Sequence, residues 1–240
     1  MKIKSLLAAC FFVFCLSNTA AADSHDITFT TTDAVTIRAT LSMPQDRDGK
    51  AAAIILIHQG GSNRQEWSAL TPELLQQGYI VLAYDVRGHG DSDPVDSIRK
   101  LFNDPQLAPL DLHAAINFLR ELPEVNSNRL AVIGASIGAN LAAMASSQMN
   151  IKTAVAISAK TSAVYNLAGQ TSLSLRSVFF ISSAGDQGGR RAAWAEELFN
   201  QTSKPHRLEI VKYSSRHGVG IFADQPEVRP MILAWLQDTL

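Results

Sequence analysis

The sequence has 240 residues, of which 46% are hydrophobic and 18% are charged. These proportions exclude a disordered chain, a collagen and a small disulfide scaffold, and the length suits one large domain or two small ones. Lys and Arg number 21 and Asp and Glu number 22, so the net charge is −1. That balance excludes a broad electrostatic attraction for nucleic acid or for an anionic membrane.

The amino-terminal segment has the pattern of a signal peptide. Lys2 and Lys4 are followed by an apolar run from Leu6 to Leu16 and then by small residues that end in Ala20-Ala21-Ala22. A membrane-spanning helix needs about 20 apolar residues, so this run is too short to remain as a span. We therefore predict a signal peptide at residues 1–22 and an exported protein, either periplasmic or secreted.

Both cysteines of the chain, Cys10 and Cys15, lie inside the predicted signal peptide. The stretch Leu7-Ala8-Ala9-Cys10 resembles a lipoprotein cleavage box, which is an alternative, although almost no hydrophobic segment precedes Cys10. The cleaved protein would have no cysteine, and so no disulfide, no cysteine nucleophile and no thiolate metal site.

The rest of the chain, residues 23–240, is predicted to form one α/β domain. Ile27 to Thr32 and Val35 to Met43 are rich in Thr, Ile and Val, which favours an antiparallel pair at a sheet edge. Short apolar runs without alternation then predict strands that are buried on both faces, as in a parallel sheet. These runs are Ala51–Ile57, Ile80–Tyr84, Leu130–Ile133, Ala154–Ser158, Val178–Ser182 and Leu208–Tyr213.

Helical segments separate the apolar runs. They are predicted at Trp67–Gln77, Pro109–Leu122, Ala139–Gln148, Arg190–Gln201 and Pro226–Leu240. This alternation predicts helices on both faces of a mostly parallel sheet. Active sites in such sheets lie at the carboxyl ends of the strands, so the loops that follow each strand are the places to search for chemistry.

The strongest chemical signal is the sequence Gly134-Ala135-Ser136-Ile137-Gly138. It follows the predicted strand Leu130–Ile133 and opens a helix of small residues. In this context the glycines permit a sharp, strained turn that exposes the Ser136 hydroxyl at the positive end of the helix. We predict that Ser136 is a nucleophile.

A serine nucleophile needs a base and an acid that orients the base. Asp186 follows the strand Val178–Ser182, and His217 follows the strand Leu208–Tyr213. Both lie at the same predicted sheet edge as Ser136, in the chain order Ser, Asp, His. We therefore predict a catalytic set of Ser136, Asp186 and His217.

Three other ionisable residues compete for these roles less well. His206 precedes its predicted strand and so belongs to the opposite edge of the sheet. Glu209 lies inside that strand, and Asp224 comes late in the chain order.

The loop His58-Gln59-Gly60-Gly61-Ser62 follows the first core strand. A glycine-rich backbone there can point N–H groups at a developing oxyanion. We predict one donor from Gly60, with Gln59 as the alternative, and the other from Ile137. For His58 a structural role is favoured, in which its ring holds the loop.

The segment Tyr84 to Ser92 carries three charged side chains and resembles a rigid loop with internal hydrogen bonds. A metal site built from Asp85, His89 and Asp91 is the alternative. It lacks a second cluster of ligands, so we expect no metal and no cofactor. The sequence contains neither a Rossmann glycine fingerprint nor a phosphate-binding loop.

These motifs together resemble the α/β-hydrolase superfamily over nearly all of residues 27–240. The short, glycine-rich His217 loop and the compact length are similar to dienelactone-hydrolase-like and serine-aminopeptidase-like members. The resemblance implies about eight mostly parallel strands and a Ser136–Asp186–His217 triad. It rests on five motifs: His58-Gln59-Gly60-Gly61, Asp85-Val86-Arg87-Gly88-His89-Gly90, Gly134-Ala135-Ser136-Ile137-Gly138, Gly185-Asp186 and His217-Gly218.

The sequence departs from the superfamily pattern in two places. The oxyanion loop reads H-Q-G-G where H-G-G-G or H-G-x-G is usual, which leaves the donor open between Gly60 and Gln59. Only Ala159 to Ser177 separates two core strands between which many lipases insert a lid. We expect no large lid and at most a short helix there.

The function predicted from these residues is that of a serine hydrolase of the carboxylesterase type, acting on a small acyl substrate through an acyl-enzyme on Ser136. Two alternatives remain open: a serine peptidase or aminopeptidase, and a non-catalytic binding protein with the same fold. The oligomeric state does not follow from the sequence.

Overall fold

The computed structural model describes residues 23–45 and 49–240. The predicted signal peptide at residues 1–22, with Cys10 and Cys15, lies outside the described residues, so its assignment stays a prediction. Among the residues that are described, no helix is long and apolar enough to cross a membrane.

One eight-stranded sheet organises the described chain, in the order β1-β2-β4-β3-β5-β6-β7-β8. The pairs β1–β2 and β2–β4 are antiparallel, and every other neighbouring pair is parallel. The strands are β1 (Asp23–Thr30), β2 (Thr36–Met43), β3 (Ala51–Ile57), β4 (Ile80–Tyr84), β5 (Val125–Ala135), β6 (Thr153–Ile157), β7 (Arg176–Ser183) and β8 (Ser203–Val211). The predicted fold class is confirmed, including the antiparallel pair at one edge.

Helices cover both faces of the sheet, because the buried strands are apolar on both sides. The helices are α1 (Thr71–Gln76), α2 (Ala108–Glu121), α3 (Ile137–Gln148), α4 (Thr161–Ala168), α5 (Arg190–Asn200), α6 (Ile221–Asp224) and α7 (Val228–Thr239). Short 3₁₀ turns occupy Arg64–Trp67, Ile98–Phe102 and Gly218–Gly220.

The core therefore consists of two apolar layers. On β3, Ile55 and Ile57 face the layer that contains side chains of α2, α3, α4 and α5, whereas Ile54 and Leu56 face the layer that contains α1 and α7. All four of these strand side chains are fully buried. Burial on both faces fixes the sheet rigidly, so the loops at its carboxyl edge start from well-defined positions.

Several predicted boundaries were wrong. The segment predicted as one helix at Trp67–Gln77 is a 3₁₀ turn followed by the short α1, which begins at Thr71 with Pro72 in its first turn. The last strand begins at Ser203, five residues before the predicted Leu208, and so includes His206. The first residues of this edge strand are polar, so a search for apolar runs did not include them.

The segment between β6 and β7 holds only α4, as expected for a protein without a large lid. Helix α4 begins after Lys160 and ends at Gly169, which adopts a left-handed conformation with a φ of +62°. A second short element was not predicted. The 3₁₀ turn Ile98–Phe102, in the long connection after β4, packs next to α4, and Asn166 donates a hydrogen bond to Asn103 at 3.0 Å.

Candidate active site

The sequence-predicted site residues all follow strands at the carboxyl edge of the sheet. The oxyanion loop follows β3, Ser136 follows β5, Asp186 follows β7 and His217 follows β8. Strands β3, β5, β6, β7 and β8 are consecutive neighbours in the sheet. The parallel arrangement therefore gathers residues from distant parts of the chain at one edge.

Ser136 occupies a strained turn between β5 and α3. Its φ is +53° and its ψ is −108°, a conformation that costs of order 1–3 kcal/mol for a residue with a side chain. The turn is fixed from both sides, since Ser136 N–H donates to Ile157 O at 2.9 Å and Asn140 N–H donates to Ser136 O at 3.1 Å. Strain that is held by surrounding structure is characteristic of functional sites.

The two glycines of this motif are required by close backbone approaches. A Cβ atom on Gly134 would lie 2.0 Å from the carbonyl oxygen of Gly138, and a Cβ atom on Gly138 would lie 2.2 Å from the carbonyl oxygen of Ile57. Helix α3 can therefore begin directly against β3 and β5 only if both positions lack a side chain. This contact places the first N–H groups of α3, which have no partner inside the helix, next to the oxyanion loop.

Asp186 and His217 form a hydrogen-bonded pair. His217 Nδ1 lies 2.7 Å from Asp186 Oδ2, and the two residues are 31 positions apart in the sequence. The Asp186 side chain is only 3% exposed, whereas that of His217 is 33% exposed. In the neutral ring this bond assigns the hydrogen to Nδ1, and Nε2 of the partly exposed ring then carries a lone pair.

The loops that carry these two residues also contact each other through their backbones. Gly185 N–H donates to Ser214 O at 2.9 Å, and a Cβ atom on Gly185 would lie 3.1 Å from Ser215 Cβ. Only a glycine allows this approach without displacement. The turn after β7 and the loop after β8 therefore behave as one packed unit.

Ser158, directly after β6, connects this unit to the centre of the sheet. Its hydroxyl oxygen accepts the N–H of Gly218 at 3.0 Å, and its carbonyl oxygen accepts Nη1 of Arg191 at 2.8 Å. Ser158 is fully buried and has a φ of +61°. Burial lowers the pKa of Arg191, while the nearby Asp186 charge raises it. Gly218, which follows His217, is thus hydrogen-bonded to the residue that follows β6, and β6 lies next to β5, the strand that leads to Ser136.

Both ring nitrogens of His58 form hydrogen bonds that hold the loop after β3. Its Nε2 accepts the N–H of Val86 at 3.0 Å, so Nδ1 carries the hydrogen and donates to Gln59 O at 2.7 Å. The pKa of His58 is lowered to about 4, chiefly by burial; the hydrogen bond to the Gln59 carbonyl opposes this shift, and the nearby His89 adds to it. His58 is therefore neutral at pH 7 with both ring nitrogens engaged, as a structural role requires.

The same loop distinguishes the two candidate oxyanion donors. Gln59 N–H donates to Glu66 Oε2 at 3.1 Å, so it is already engaged. Among the described residues no acceptor is bonded to the N–H of Gly60, and the ring of Phe102 lies 3.0 Å from the position that a Cβ atom on Gly60 would take. The geometry favours Gly60 over Gln59.

The competing acid and base residues lie elsewhere. Asp224 Oδ2 accepts from Ser214 Oγ at 2.7 Å, and Asp224 Oδ1 lies 3.4 Å from Arg216 Nε, so this carboxylate bonds other residues of the His217 loop. His206 lies within β8 opposite Val178, and its ring stacks on Phe199 at 4.2 Å.

Arg64, in the turn after β3, pairs with the acidic residues of the charged loop after β4. Asp85 accepts from Arg64 N at 2.6 Å, from the Arg64 guanidinium and from Asp91 N at 2.9 Å. Its carboxylate is fully buried with these partners. Within residues 23–45 and 49–240, no group of three or more His, Cys, Asp or Glu side chains is arranged to hold a metal ion.

A cleft away from this edge contains none of the predicted catalytic residues. It has a volume of about 830 Å³ and opens between β2, β4 and α1, with Thr40, Ala83 and Leu75 on its walls. Arg64 and Gln65 also line it. Its size alone does not identify it as the site of chemistry, because no strained or paired catalytic group faces it.

Sequence reasoning missed four residues that shape this edge: Glu66, Phe102, Ser158 and Arg191. Ser158 was included in a strand, and its position directly after β6 was the only available signal. Glu66, Phe102 and Arg191 lie in helical turns, where nothing in a single sequence distinguishes them from surface or core residues. Their roles depend on contacts with loops that are remote in sequence.

Comparison with known proteins agrees with this geometry. Residues 54–239 match the model of the alpha/beta hydrolase family. This chain belongs to the alpha/beta hydrolase family, as the resemblance of its motifs predicted.

Among solved structures, the esterase Pf2001 of Pyrococcus furiosus superimposes with a TM-score of 0.73 at 22% identity, over 91% of this chain and 93% of that one. The dienelactone hydrolase of Anabaena variabilis superimposes with a TM-score of 0.71 at 19% identity, over 91% and 99%. At these identities the likeness shows the shared fold.

A curated relative, the uncharacterized protein PA2218 of Pseudomonas aeruginosa, is 30% identical over 117 residues. The match covers 48% of this chain and 31% of that protein. The chain thus spans about a third of the length of this relative, and this match does not indicate an activity for the chain.

Proposed function

We propose that this protein is a serine hydrolase that cleaves an ester-like acyl bond through an acyl-enzyme on Ser136. The observation that carries the proposal is the 2.7 Å hydrogen bond between buried Asp186 and accessible His217, at the same sheet edge as the strained Ser136. This combination of nucleophile, base and orienting acid is what acyl transfer requires.

In the acylation step, the Ser136 hydroxyl oxygen attacks the carbonyl carbon while Nε2 of His217 takes its proton. Asp186 accepts the Nδ1 hydrogen bond and stabilises the imidazolium that forms. The bond to the leaving alcohol then breaks, and His217 returns the proton to that oxygen. The acyl group remains bonded to Ser136.

In the deacylation step, a water molecule attacks the acyl carbon and His217 takes one of its protons. The bond to the Ser136 oxygen breaks, the acid is released and the proton returns to Ser136. In both steps the negative charge on the carbonyl oxygen is stabilised by the N–H groups of Gly60 and Ile137. Ile137 is the first residue of α3, where N–H groups lack partners inside the helix.

The substrate proposed for this site is a small or accessible acyl compound. Helix α4 spans only eight residues between β6 and β7, and the His217 side chain is 33% exposed. The Phe102 ring, which lies over Gly60, supplies an apolar wall beside the proposed oxyanion donors. These features support a site that is open to water and shallow on one side.

The proposal is tested with p-nitrophenyl esters of increasing acyl length, with aminoacyl anilides and with a fluorophosphonate probe. We expect ester turnover and stoichiometric labelling in the native protein, and Ser136→Ala should reduce kcat by about 10⁶-fold and abolish the label. Ser182→Ala is the matched control, since this buried serine lies near the same edge in β7, its hydroxyl has no hydrogen-bond partner among the described residues, and both readouts should stay unchanged.

Three results would contradict or redirect the proposal. Turnover of anilides in preference to esters would indicate a peptidase. Labelling that persists in Ser136→Ala would show that the nucleophile is misassigned. The absence of both turnover and labelling in the native protein would favour a binding protein.

We further propose that the protein is exported and that residues 1–22 are removed. The basic start, the apolar run Leu6–Leu16 and the small residues up to Ala22 support this. Intact-mass measurement of exported protein should give a chain that begins at or next to Asp23. A mass that retains a lipid-modified Cys10 would contradict it and would favour the lipoprotein alternative.

A further inference from the structure

The oxyanion loop is held by two separate contacts, one on each of two successive peptide groups. The peptide between Gln59 and Gly60 is fixed because Gln59 O accepts from His58 Nδ1 at 2.7 Å. A trans peptide points its N–H opposite to its C=O, so this bond turns the N–H of Gly60 away from His58. The peptide between His58 and Gln59 is fixed by Glu66, whose Oε2 accepts Gln59 N–H at 3.1 Å.

We propose that Glu66 is a positioning residue of the oxyanion hole, and that it acts by accepting the N–H of Gln59 so that, of these two loop N–H groups, only that of Gly60 faces the substrate carbonyl together with the N–H of Ile137. This inference rests on the proposed function, because an oxyanion hole has a use only if acyl transfer occurs at Ser136. Glu66 does not touch the reacting atoms in this scheme, and its effect passes through Gln59.

The surroundings of Glu66 suit such a role. It lies in the 3₁₀ turn Arg64–Trp67, which is capped by Asn63 Oδ1 accepting from Gln65 N at 3.0 Å and anchored by Trp67, which is buried. Burial raises the pKa of Glu66, while Ser62, the N–H of Gln59 and the nearby His217 lower it. A rigid turn thus presents this carboxylate between the oxyanion loop and the imidazole.

Gln59 transmits the position of Glu66 to a second loop. A Cβ atom on Gly218 would lie 2.0 Å from Oε1 of Gln59, so the Gln59 side chain fills the space directly beside the residue that follows His217. A Cβ atom at that position would also lie 3.4 Å from Ala135 Cβ, next to Ser136. Displacement of Gln59 would therefore disturb the oxyanion loop at the point where it meets both the base and the nucleophile.

The test compares three substitutions of Glu66 in the native chain. Glu66→Gln keeps an oxygen acceptor without charge, Glu66→Asp keeps the charge but withdraws it by one methylene, and Glu66→Leu removes the acceptor. We expect kcat for p-nitrophenyl butyrate within about 3-fold of the native value for Glu66→Gln, but about 10-fold lower for Glu66→Asp and about 10- to 100-fold lower for Glu66→Leu.

The other readouts separate positioning from a general structural role. KM should change by less than about 3-fold in all variants, and the rate of fluorophosphonate inactivation should fall in parallel with kcat, because the oxyanion hole acts on the transition state. Glu121→Gln, at an exposed position near the end of α2, is the matched charge control and should change nothing.

The inference is overturned if Glu66→Leu keeps native kcat, or if Glu66→Gln loses as much as Glu66→Leu. Thermal unfolding and circular dichroism establish which variants fold. Should Glu66→Leu fail to fold, Glu66→Asp decides, and native kcat in that variant overturns the inference. Failure of the proposed function is recognised separately, since the unsubstituted protein would then show no turnover and no labelling.

Discussion

The loop after β4 and the loops after β7 and β8 are both rich in polar side chains, but they use them in opposite ways. After β4, Arg87 donates to Asp111 at 2.7 Å and to Asp33 at 2.6 and 2.9 Å, and Asp85 is saturated by Arg64 and Asp91. After β7 and β8, buried Asp186 bonds one ring nitrogen of His217, and the proposed mechanism uses the other nitrogen as the base.

This difference shows how a single sheet edge combines scaffold and site. In the loop after β4 and its contacts, buried carboxylates that are paired with Arg64 and Arg87 fix the backbone, and their oxygens are engaged in hydrogen bonds. The loops after β7 and β8 keep one group partly exposed and incompletely paired, and strong backbone contacts between them hold it in place. The number of charged residues is thus a poor guide to where catalysis occurs.

The largest expected effect is on the Asp186–His217 pair. Asp186→Asn should lower kcat by about 10³- to 10⁴-fold with little change in KM, because the wrong tautomer of His217 is then stabilised. His217→Ala should be at least as damaging, and the double variant should cost little more than the worse single one.

Asp224→Asn is the matched control for this pair, since Asp224 bonds Ser214 and lies near Arg216 in the same loop. Its kcat should stay within about 5-fold of the native value, as for a group outside the reacting set. Losses that multiply in the Asp186–His217 double variant would show that the two residues act independently, and Asp224 would then be the acid to test.

The second prediction tests the scaffold loop. Arg87→Met should lower the free energy of unfolding by about 3–5 kcal/mol, because it leaves the fully buried Asp111 without its cation. Urea unfolding measures this, and kcat of the folded fraction should not change. Asp33→Asn, at the exposed end of the same network, should cost less than about 1 kcal/mol. If Arg87→Met and Asp33→Asn lowered the free energy of unfolding equally, the explanation from the burial of Asp111 would be wrong.

The third prediction concerns acid stability. The pKa of buried His58 is lowered to about 4, whereas an unfolded histidine titrates near about 6.5. The unfolded state therefore binds more protons at this site between these values, and the contribution of His58 to the free energy of unfolding falls by about 3 kcal/mol as the pH drops from about 6.5 to about 4. Asp111, whose pKa burial raises to about 7, acts in the opposite sense over the same range, so the measurement compares the native protein with His58→Gln by urea unfolding at pH 7 and pH 4.5.

His58→Gln isolates this contribution, because it removes the titrating ring. The variant should be less stable than the native protein at pH 7, and this difference in the free energy of unfolding should shrink by about 3 kcal/mol at pH 4.5. Asp33, whose pKa is lowered to about 2 by its hydrogen bond to Arg87, changes the free energy of unfolding only at lower pH. An unchanged pH dependence in His58→Gln would show that other groups cause the loss.

The smallest expected effect is at Ser158. Ser158→Ala removes the acceptor of the Gly218 N–H, and an unpaired buried donor costs about 1–3 kcal/mol, part of which should appear as a 5- to 20-fold lower kcat. Ser182→Ala is the matched control, because Ser182 is equally buried and its hydroxyl accepts and donates no hydrogen bond among the described residues. Equal effects of the two substitutions would show that the Ser158 hydroxyl does not position the His217 loop.

Much of the fold was predictable because it depends on local patterns. The bounds of β3 and β4 matched the predicted runs, since both strands are apolar and buried on both faces. Strand β8 begins five residues before the predicted start and ends two residues before the predicted end, because its first half, Ser203–Arg207, is polar and lies at the sheet edge. The 3₁₀ turn Ile98–Phe102 and the short α4 gave too few turns for a helical period to be visible.

The sequence by itself determined the family, the parallel core and the order in which Ser136, Asp186 and His217 follow their strands. These features depend on hydrophobic periodicity and on short motifs that are recognisable within a few consecutive residues. Only the tertiary structure decided that Asp186, and not Asp224, bonds His217, and that Glu66 occupies the N–H of Gln59. Such contacts join loops that are distant in the chain, so they depend on strand order and register, which no local pattern encodes.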